Sequence, residues 1–231
     1  MNKARPWLTA ALLAVGALVV WRSFFSGAPE WDEALGARRE ALAELGRYLA
    51  DHHPPERLLV LSNPFVRDGG QSKRVRRFEE AGIEGIRMGI GEASTVELVY
   101  PEIKPEYRDH PERAVFPPDT STPLSFLMEP SSLDSLMEVH PDCKLVVSLI
   151  GLPVGVDKLE LWQRDLSFAL LLPDLRLLGN ASNVLRAFQQ GKIKAVVIED
   201  PDKRVLTVVD ASQAEKWLKT RPDVFGFKRK R

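Results

Sequence analysis

The sequence predicts a three-layer α/β/α domain of the Rossmann-like type: five parallel strands in the flavodoxin-like order 2-1-3-4-5, joined by an antiparallel edge strand. Three observations predict it. Five apolar runs, among them LLVL, LVVSLI, FALLL and AVVI, have the length and composition of parallel strands covered on both faces. The segments between them place apolar residues at helical spacing, and such alternation makes right-handed βαβ crossovers the economical topology. After the fifth run, DPDK (residues 200–203) makes a tight turn into RVLTVVD, which reads as an antiparallel edge strand.

The chain opens on an address. Lys3 and Arg5 precede fifteen uncharged residues, Trp7 to Trp21, which are followed by Arg22, Phe24 and Phe25. As a helix that run is roughly 22 Å long. Extending it to Phe25, with Arg22 snorkelling, brings it near the roughly 30 Å of a hydrocarbon core. Both a retained signal-anchor and a signal peptide fit residues 1–28. Trp7, Trp21, Phe24 and Phe25 suit interfacial anchoring, whereas Ser26, Gly27 and Ala28 form a small-x-small cleavage pattern. The basic tail directs the body to the exported side of a cell membrane, periplasmic or extracellular, as a single-pass protein; secretion after cleavage near Ala28 is the alternative. Arg22, Arg38 and Arg39 weaken that orientation. No cysteine lies near residue 28, which excludes a lipoprotein anchor.

A membrane-proximal helix follows within residues 31–55. Leu35, Leu42, Leu45 and Leu49 share one helical face, and Pro54 and Pro55 end it. The α/β domain then occupies residues 56–222. Its predicted parallel strands are 57–62, 95–100, 144–150, 167–172 and 193–199. The intervening helices are expected at 72–81, 131–140, 157–163 and 181–190, with a last one at 211–220. Residues 223–231 read as a basic tail, frayed over its final FKRKR (residues 227–231). Between residues 101 and 130 proline recurs seven times, so regular structure is hard to sustain. Leu124, Phe126, Leu127 and Met128 are nevertheless too apolar for a disordered linker. This excursion reads as ordered, either a lid over a site or a wrapper protecting a sheet edge.

Composition excludes several function classes. The 231 residues hold 32 Lys+Arg and 32 Asp+Glu, a balance that lacks the basic footprint of a nucleic-acid binder. The single cysteine, Cys143, cannot close an internal disulfide, and no Cys or His cluster has zinc spacing. No metal or other cofactor is expected.

Two loops are candidates for ligand binding. After the first strand, Asn63 and Pro64 lead through Arg67 to Gly69 and Gly70, which permit unusual backbone angles, and Ser72 can cap the next helix. That helix begins with Lys73, Arg74, Arg76 and Arg77, and it carries Glu79 and Glu80 later, the reverse of what the helix dipole favours. It carries Val75, Phe78 and Ala81 inward and is expected to end at Gly82. An anion at its start would offset the misplaced charge; a solvated basic face with an Arg76–Glu80 pair is the plainer reading. GGQSK has neither the P-loop nor the dinucleotide spacing. The second loop, SLIGLPVGVD, follows the third strand and contains Ser148, Gly151 and Leu152. In the order 2-1-3-4-5 the first and third strands lie side by side with connections leaving in opposite directions, so these loops would flank a crevice at the strands' carboxyl ends.

The succession VLSNP, FEEAGI, VELVYPEI, SLDSLMEVHPDCKLVVSLIGLP, FALLLPD and VLRAFQQGKIKAVVIEDP resembles one lobe of a type I periplasmic-binding-protein-like fold, over about residues 57–200. It is also similar to membrane-anchored bacterial proteins, a likeness that brings no chemistry. The resemblance implies small-molecule recognition at the strand ends without catalysis. Such binders clamp a ligand between two lobes, and only one lobe is present here. A clamp would need a homodimer or a partner protein.

Other chemistry is thin. His140 and Cys143 in HPDC read as a turn and a small core residue, not as a thiol and its base. Asp174, just beyond the fourth strand, is the best single carboxylate for a polar or catalytic role, although a solvated turn aspartate is the plainer reading. Without a second catalytic group an enzyme is the third reading. The first is an extracytoplasmic domain that binds or senses a solute, possibly an anionic one. The second is an interaction or structural subunit of a bacterial envelope complex.

Overall fold

The computed structural model describes residues 31–67, 71–200, 202 and 205–228. The expected membrane segment (residues 1–28), Gly69 and Gly70, and the last three residues lie outside the described residues. No described helix is long and apolar enough to cross a membrane.

Six strands form one sheet in the order β2-β1-β3-β4-β5-β6. They are β1 (Arg57–Leu61), β2 (Thr95–Val99), β3 (Leu145–Ser148), β4 (Ser167–Leu171), β5 (Ile193–Asp200) and β6 (Val205–Asp210). The first five are parallel, and β6 pairs antiparallel with β5, Ala195 facing Asp210 and Asp200 facing Val205. The predicted strand order and the antiparallel edge are both present. β3 and β4 are buried at every position, which is why their sequences show no polar alternation.

The helices are α1 (Trp31–His52), α2 (Pro64–Arg67), α3 (Lys73–Ile90), α4 (Pro105–Arg108), α5 (Leu124–Leu127), α6 (Ser131–Val139), α7 (Ala181–Gln189) and α8 (Ala211–Thr220). α1 is a full member of the sandwich. Its buried residues Leu35, Leu42, Leu45 and Leu49 follow the predicted stripe, and it packs alongside α3 and over β4, β5 and β6. The two helices run in the same direction: Trp31 lies against Phe78 (5.8 Å between ring centres), and Arg39 bonds Glu84 further along at 2.9 Å. At the far end of α1, Tyr48 donates to Asp210 at 2.9 Å and so ties the helix to the end of β6.

α3 corrects one expectation. It does not end at Gly82 but runs eighteen residues to Ile90, with Gly91 (φ 77°) as its cap. Gly82, Gly85 and Gly89 are not stop signals, because the face they form lets α1 come into backbone contact. A methyl group on Gly85 would strike the carbonyl of Arg39 and one on Gly89 that of Ala43, while one on Gly46 of α1 would lie 2.8 Å from the Ile90 nitrogen. A second correction concerns residues 157–163, which form two single 3₁₀ turns, Val156–Lys158 and Glu160–Trp162, on either side of extended Leu159.

The excursion is ordered, with two one-turn helices and an antiparallel bridge between Ile103 and Met128. Its Leu127 and Met128 are fully buried. Ahead of the final FKRKR, Phe225 is fully buried and meets Phe188 edge-on.

Two expectations follow. Gly85→Ala and Gly89→Ala should each lower the unfolding free energy by about 2 kcal/mol or more, because the helix backbones must separate. Gly36→Ala, with nothing within 4 Å, should instead gain roughly 0.5–1 kcal/mol; urea titration reads all three. Burial and the bond to Asp210 push the Tyr48 hydroxyl up to about 12. A folded value above the unfolded one contributes stability that is present below about pH 10 and is lost as pH rises through the folded value. Between those two pH values the wild type should therefore lose stability relative to Tyr48→Phe, measured by denaturation midpoints.

Candidate functional site

The reversal of strand order between β1 and β3 places the candidate site at the carboxyl end of the sheet. On the side after β1, the chain is described up to Arg67 and again from Gln71. The Asn63 side-chain oxygen accepts the Phe65 N–H at 3.0 Å, which starts the single turn of α2. Arg67, exposed, sets its guanidinium 5.7 Å from the ring of Tyr100, which follows β2. Ser72 caps α3 by accepting the Val75 N–H at 3.4 Å, and Lys73 is exposed at the first helical position.

The wall after β3 is closed. Ser148, fully buried, donates to the Gly151 carbonyl at 2.5 Å and accepts the Ile150 N–H at 3.3 Å. Gly151 (φ 84°) does permit a close approach, but the chain's own excursion makes it. A side chain there would meet the Thr122 β-carbon at 2.7 Å and the Ser125 hydroxyl. Ser125 bonds the Ile150 carbonyl at 3.4 Å, Val154 N–H bonds the Ser125 carbonyl at 3.3 Å, and Leu152 is buried. The expectation that Ser148, Gly151 and Leu152 line an open crevice is thus corrected: Ser148 and Leu152 are buried, and Thr122 and Ser125 of the excursion pack against Gly151.

Asp174 is also committed. It is 3% exposed, not a solvated turn residue. The strained Leu172 (φ 44°) at the end of β4 turns the chain so that Asp174 caps the following 3₁₀ turn and holds Arg176 in a bidentate pair, at 2.5 and 2.9 Å. Arg176 reaches on to Asp119 of the excursion at 2.9 Å. The hydrogen bond from Arg176 holds the Asp119 carboxyl below the usual range, and the bonds to Asp174 hold the guanidinium above its own. Ser121 adds a bond to the Leu172 carbonyl at 2.9 Å. Asp174 therefore fastens the excursion through Arg176.

The plainer reading of the basic helix start also changes. No ion pair joins Arg76 and Glu80; instead Arg77 lies 3.7 Å from Asp32, and Arg74 stacks on Trp31 at 4.2 Å, both residues of α1. Glu79 turns inward and is buried, where it accepts from Arg38 at 3.2 Å and from Ser62 at 3.1 Å. Burial lowers the pKa of Arg38 from arginine's ordinary value, and the charge of Glu79 counters this. The guanidinium also lies 4.3 Å over Phe78, in space that Gly82 leaves open. This triad escaped the sequence reading, although a signal was present. Arg38 falls on the Leu35, Leu42, Leu45 stripe, and Glu79 falls on the stripe of Val75 and Ile86.

Cys143 is buried and donates to the Leu145 carbonyl at 3.2 Å, and burial pushes its thiol up, away from nucleophilic character. His140 sits 3.6 Å from Glu97, on the edge strand. Among the described residues no group of His, Cys, Asp or Glu could hold a metal ion. An open groove of about 840 Å³ lies at the opposite, amino end of the strands, where Arg57, Lys144 and Lys194 alternate with Glu56, Asp142 and Asp165.

No protein-family model and no curated protein matches the chain. Among solved structures it is similar to a carbohydrate transporter from Acidothermus cellulolyticus 11B in complex with myo-inositol. That match has 11% identity and a TM-score of 0.49, covering 81% of this chain and 62% of that one. It is also similar to a LacI-type transcriptional regulator from Bacteroides fragilis, at 9% identity and a TM-score of 0.47, covering 78% and 61%. This chain thus spans about three fifths of either protein. Similarity at this level transfers neither ligand nor partner.

Removing one member of the buried pair leaves an uncompensated charge, so Glu79→Ala should cost about 3–5 kcal/mol. The double change Arg38→Met with Glu79→Leu should restore most of that loss in chemical denaturation.

Proposed function

We propose that the chain is a membrane-anchored extracytoplasmic domain that binds or senses a small anionic solute. The ligand would lie against the β1 side of the carboxyl crevice, held by Asn63, Arg67, Ser72 and Lys73. One observation carries this reading. At the reversal of strand order, the loop after β1 opens directly into the amino end of an eighteen-residue helix, with exposed Arg67 and Lys73 on either side. Asn63 and Ser72 already serve the backbone, so their free hydrogen-bonding capacity and the two cations would contact the solute.

A second reading, an interaction subunit of an envelope complex, is favoured by the closed β3 wall. Gly151 packs against the excursion, Asp174 is tied to it through Arg176, and Ser148 and Leu152 are buried in their own loop, an arrangement that leaves the outer face of the excursion for a partner. Catalysis has less support, since the best carboxylate is locked to Arg176.

Thermal unfolding against metabolites, nucleotides, sugars and phosphate separates the two readings. A ligand at about 100 times its dissociation constant should stabilise the fold by about 2.7 kcal/mol, and Arg67→Gln should remove most of that gain. No stabilisation across the panel, together with co-purification of a protein from gently solubilised membranes, would replace the solute reading with the interaction reading.

A further inference from the structure

The direction of α1 orients the whole domain. α1 lies parallel to α3, and α3 starts at the carboxyl end of β1, so Trp31 stands at the carboxyl end of the sheet. Only five residues separate Trp31 from Phe25, the end of the apolar run, six Cα-to-Cα steps in all. An extended chain of that length spans at most about 20 Å. If the run lies in a bilayer, the carboxyl end of the sheet is held within about 20 Å of the headgroups, and the amino-end groove points away from them.

The surface at that end is cationic in a way that the fold itself does not require. Lys73, Arg74, Arg76 and Arg77 are exposed on the first turns of α3. Side chains on a helix tilt toward its amino end, so all four reach toward the face carrying Trp31. Among the described residues, the acidic groups close in sequence to Trp31 and these cations are Asp32 and Glu33 on α1 and Glu79 and Glu80 on α3, of which Glu79 is buried against Arg38. Of the four cations only Arg77 has a carboxylate partner among the described residues, Asp32 at 3.7 Å, and Arg74 stacks on Trp31. Exposed Arg67 adds to the same end. Grouped cations beside a half-buried tryptophan, one short tether from a membrane segment, fit a surface of anionic headgroups.

We propose that the carboxyl end of the sheet docks on the membrane that carries the chain, with Arg74, Arg76 and Arg77 binding the phosphate groups of anionic lipids. The inference rests on the membrane-anchored part of the proposed function and not on the solute. It gives the crevice a membrane-facing mouth and makes solute entry depend on lipid charge.

The test uses the full chain in lipid vesicles, with a donor dye at Gln71→Cys or, at the opposite end, at Glu56→Cys, each in a Cys143→Ser background. Acceptor dye sits on the lipid headgroups. Transfer should be stronger from position 71 than from position 56. It should rise when phosphatidylglycerol replaces part of the phosphatidylcholine and fall again in high salt. Arg76→Gln with Arg77→Gln should lower the docked-to-free ratio roughly thirtyfold, the product of a little over fivefold for each basic residue. Equal transfer from both positions, or transfer indifferent to lipid charge in a chain that floats with the vesicles, overturns the docking alone. A chain that washes off neutral vesicles overturns the anchor and the docking with it, while solute stabilisation measured by thermal unfolding stands or falls separately.

Discussion

The backbone contact between α1 and α3 is the constraint on which the rest of the domain depends. Two helices this close need glycine where their axes cross, and Gly46, Gly85 and Gly89 supply it. The close approach in turn buries Arg38 and Glu79 together. A buried ion pair contributes little net stability, but a half-formed one is costly, so the pair favours one register of α1 over its neighbours. Because Ser62 at the end of β1 shares the same carboxylate, the first helix, the crossover helix and the first strand are joined at one point. That point lies directly beneath the candidate ligand loop.

The opposite side of the crevice obeys a different constraint. A stretch with seven prolines between residues 101 and 130 cannot hide its polar backbone groups in long helices or strands. It satisfies them instead by local turns, by the bridge at Ile103 and by bonds to the loops after β3 and β4. Leu127 and Met128 pin it to the core, and Asp174 with Arg176 pins it at Asp119. The carboxyl end of the sheet is consequently asymmetric, sealed beside β3 and β4 and lined with exposed Arg67 and Lys73 beside β1. This asymmetry is why the functional reading rests on one loop.

The strands were legible because burial on both faces demands continuous apolar runs, and Leu58 to Leu61, Leu145 to Val147 and Ala195 to Ile198 have nothing else to do. Strand order followed from the alternation of elements and the handedness of crossovers. The end of α3 was misread because glycine carries two meanings. At Gly91 it ends the helix through a positive φ, whereas at Gly82, Gly85 and Gly89 its missing β-carbon serves a neighbour. Only the partner helix distinguishes the two.

By itself the sequence determined the class of fold, the parallel order of the strands, the antiparallel edge and the leucine face of α1, all of which follow from local periodicity and chain connectivity. The tertiary structure alone decided which polar residues meet. Glu79 is forty-one positions from Arg38, and Arg176 is fifty-seven from Asp119. Glycine and serine in the loop after β3 suit an incoming ligand and an incoming segment of the same chain equally well. A contact between residues so far apart is fixed by the three-dimensional path of the chain, and no local pattern of residues encodes it.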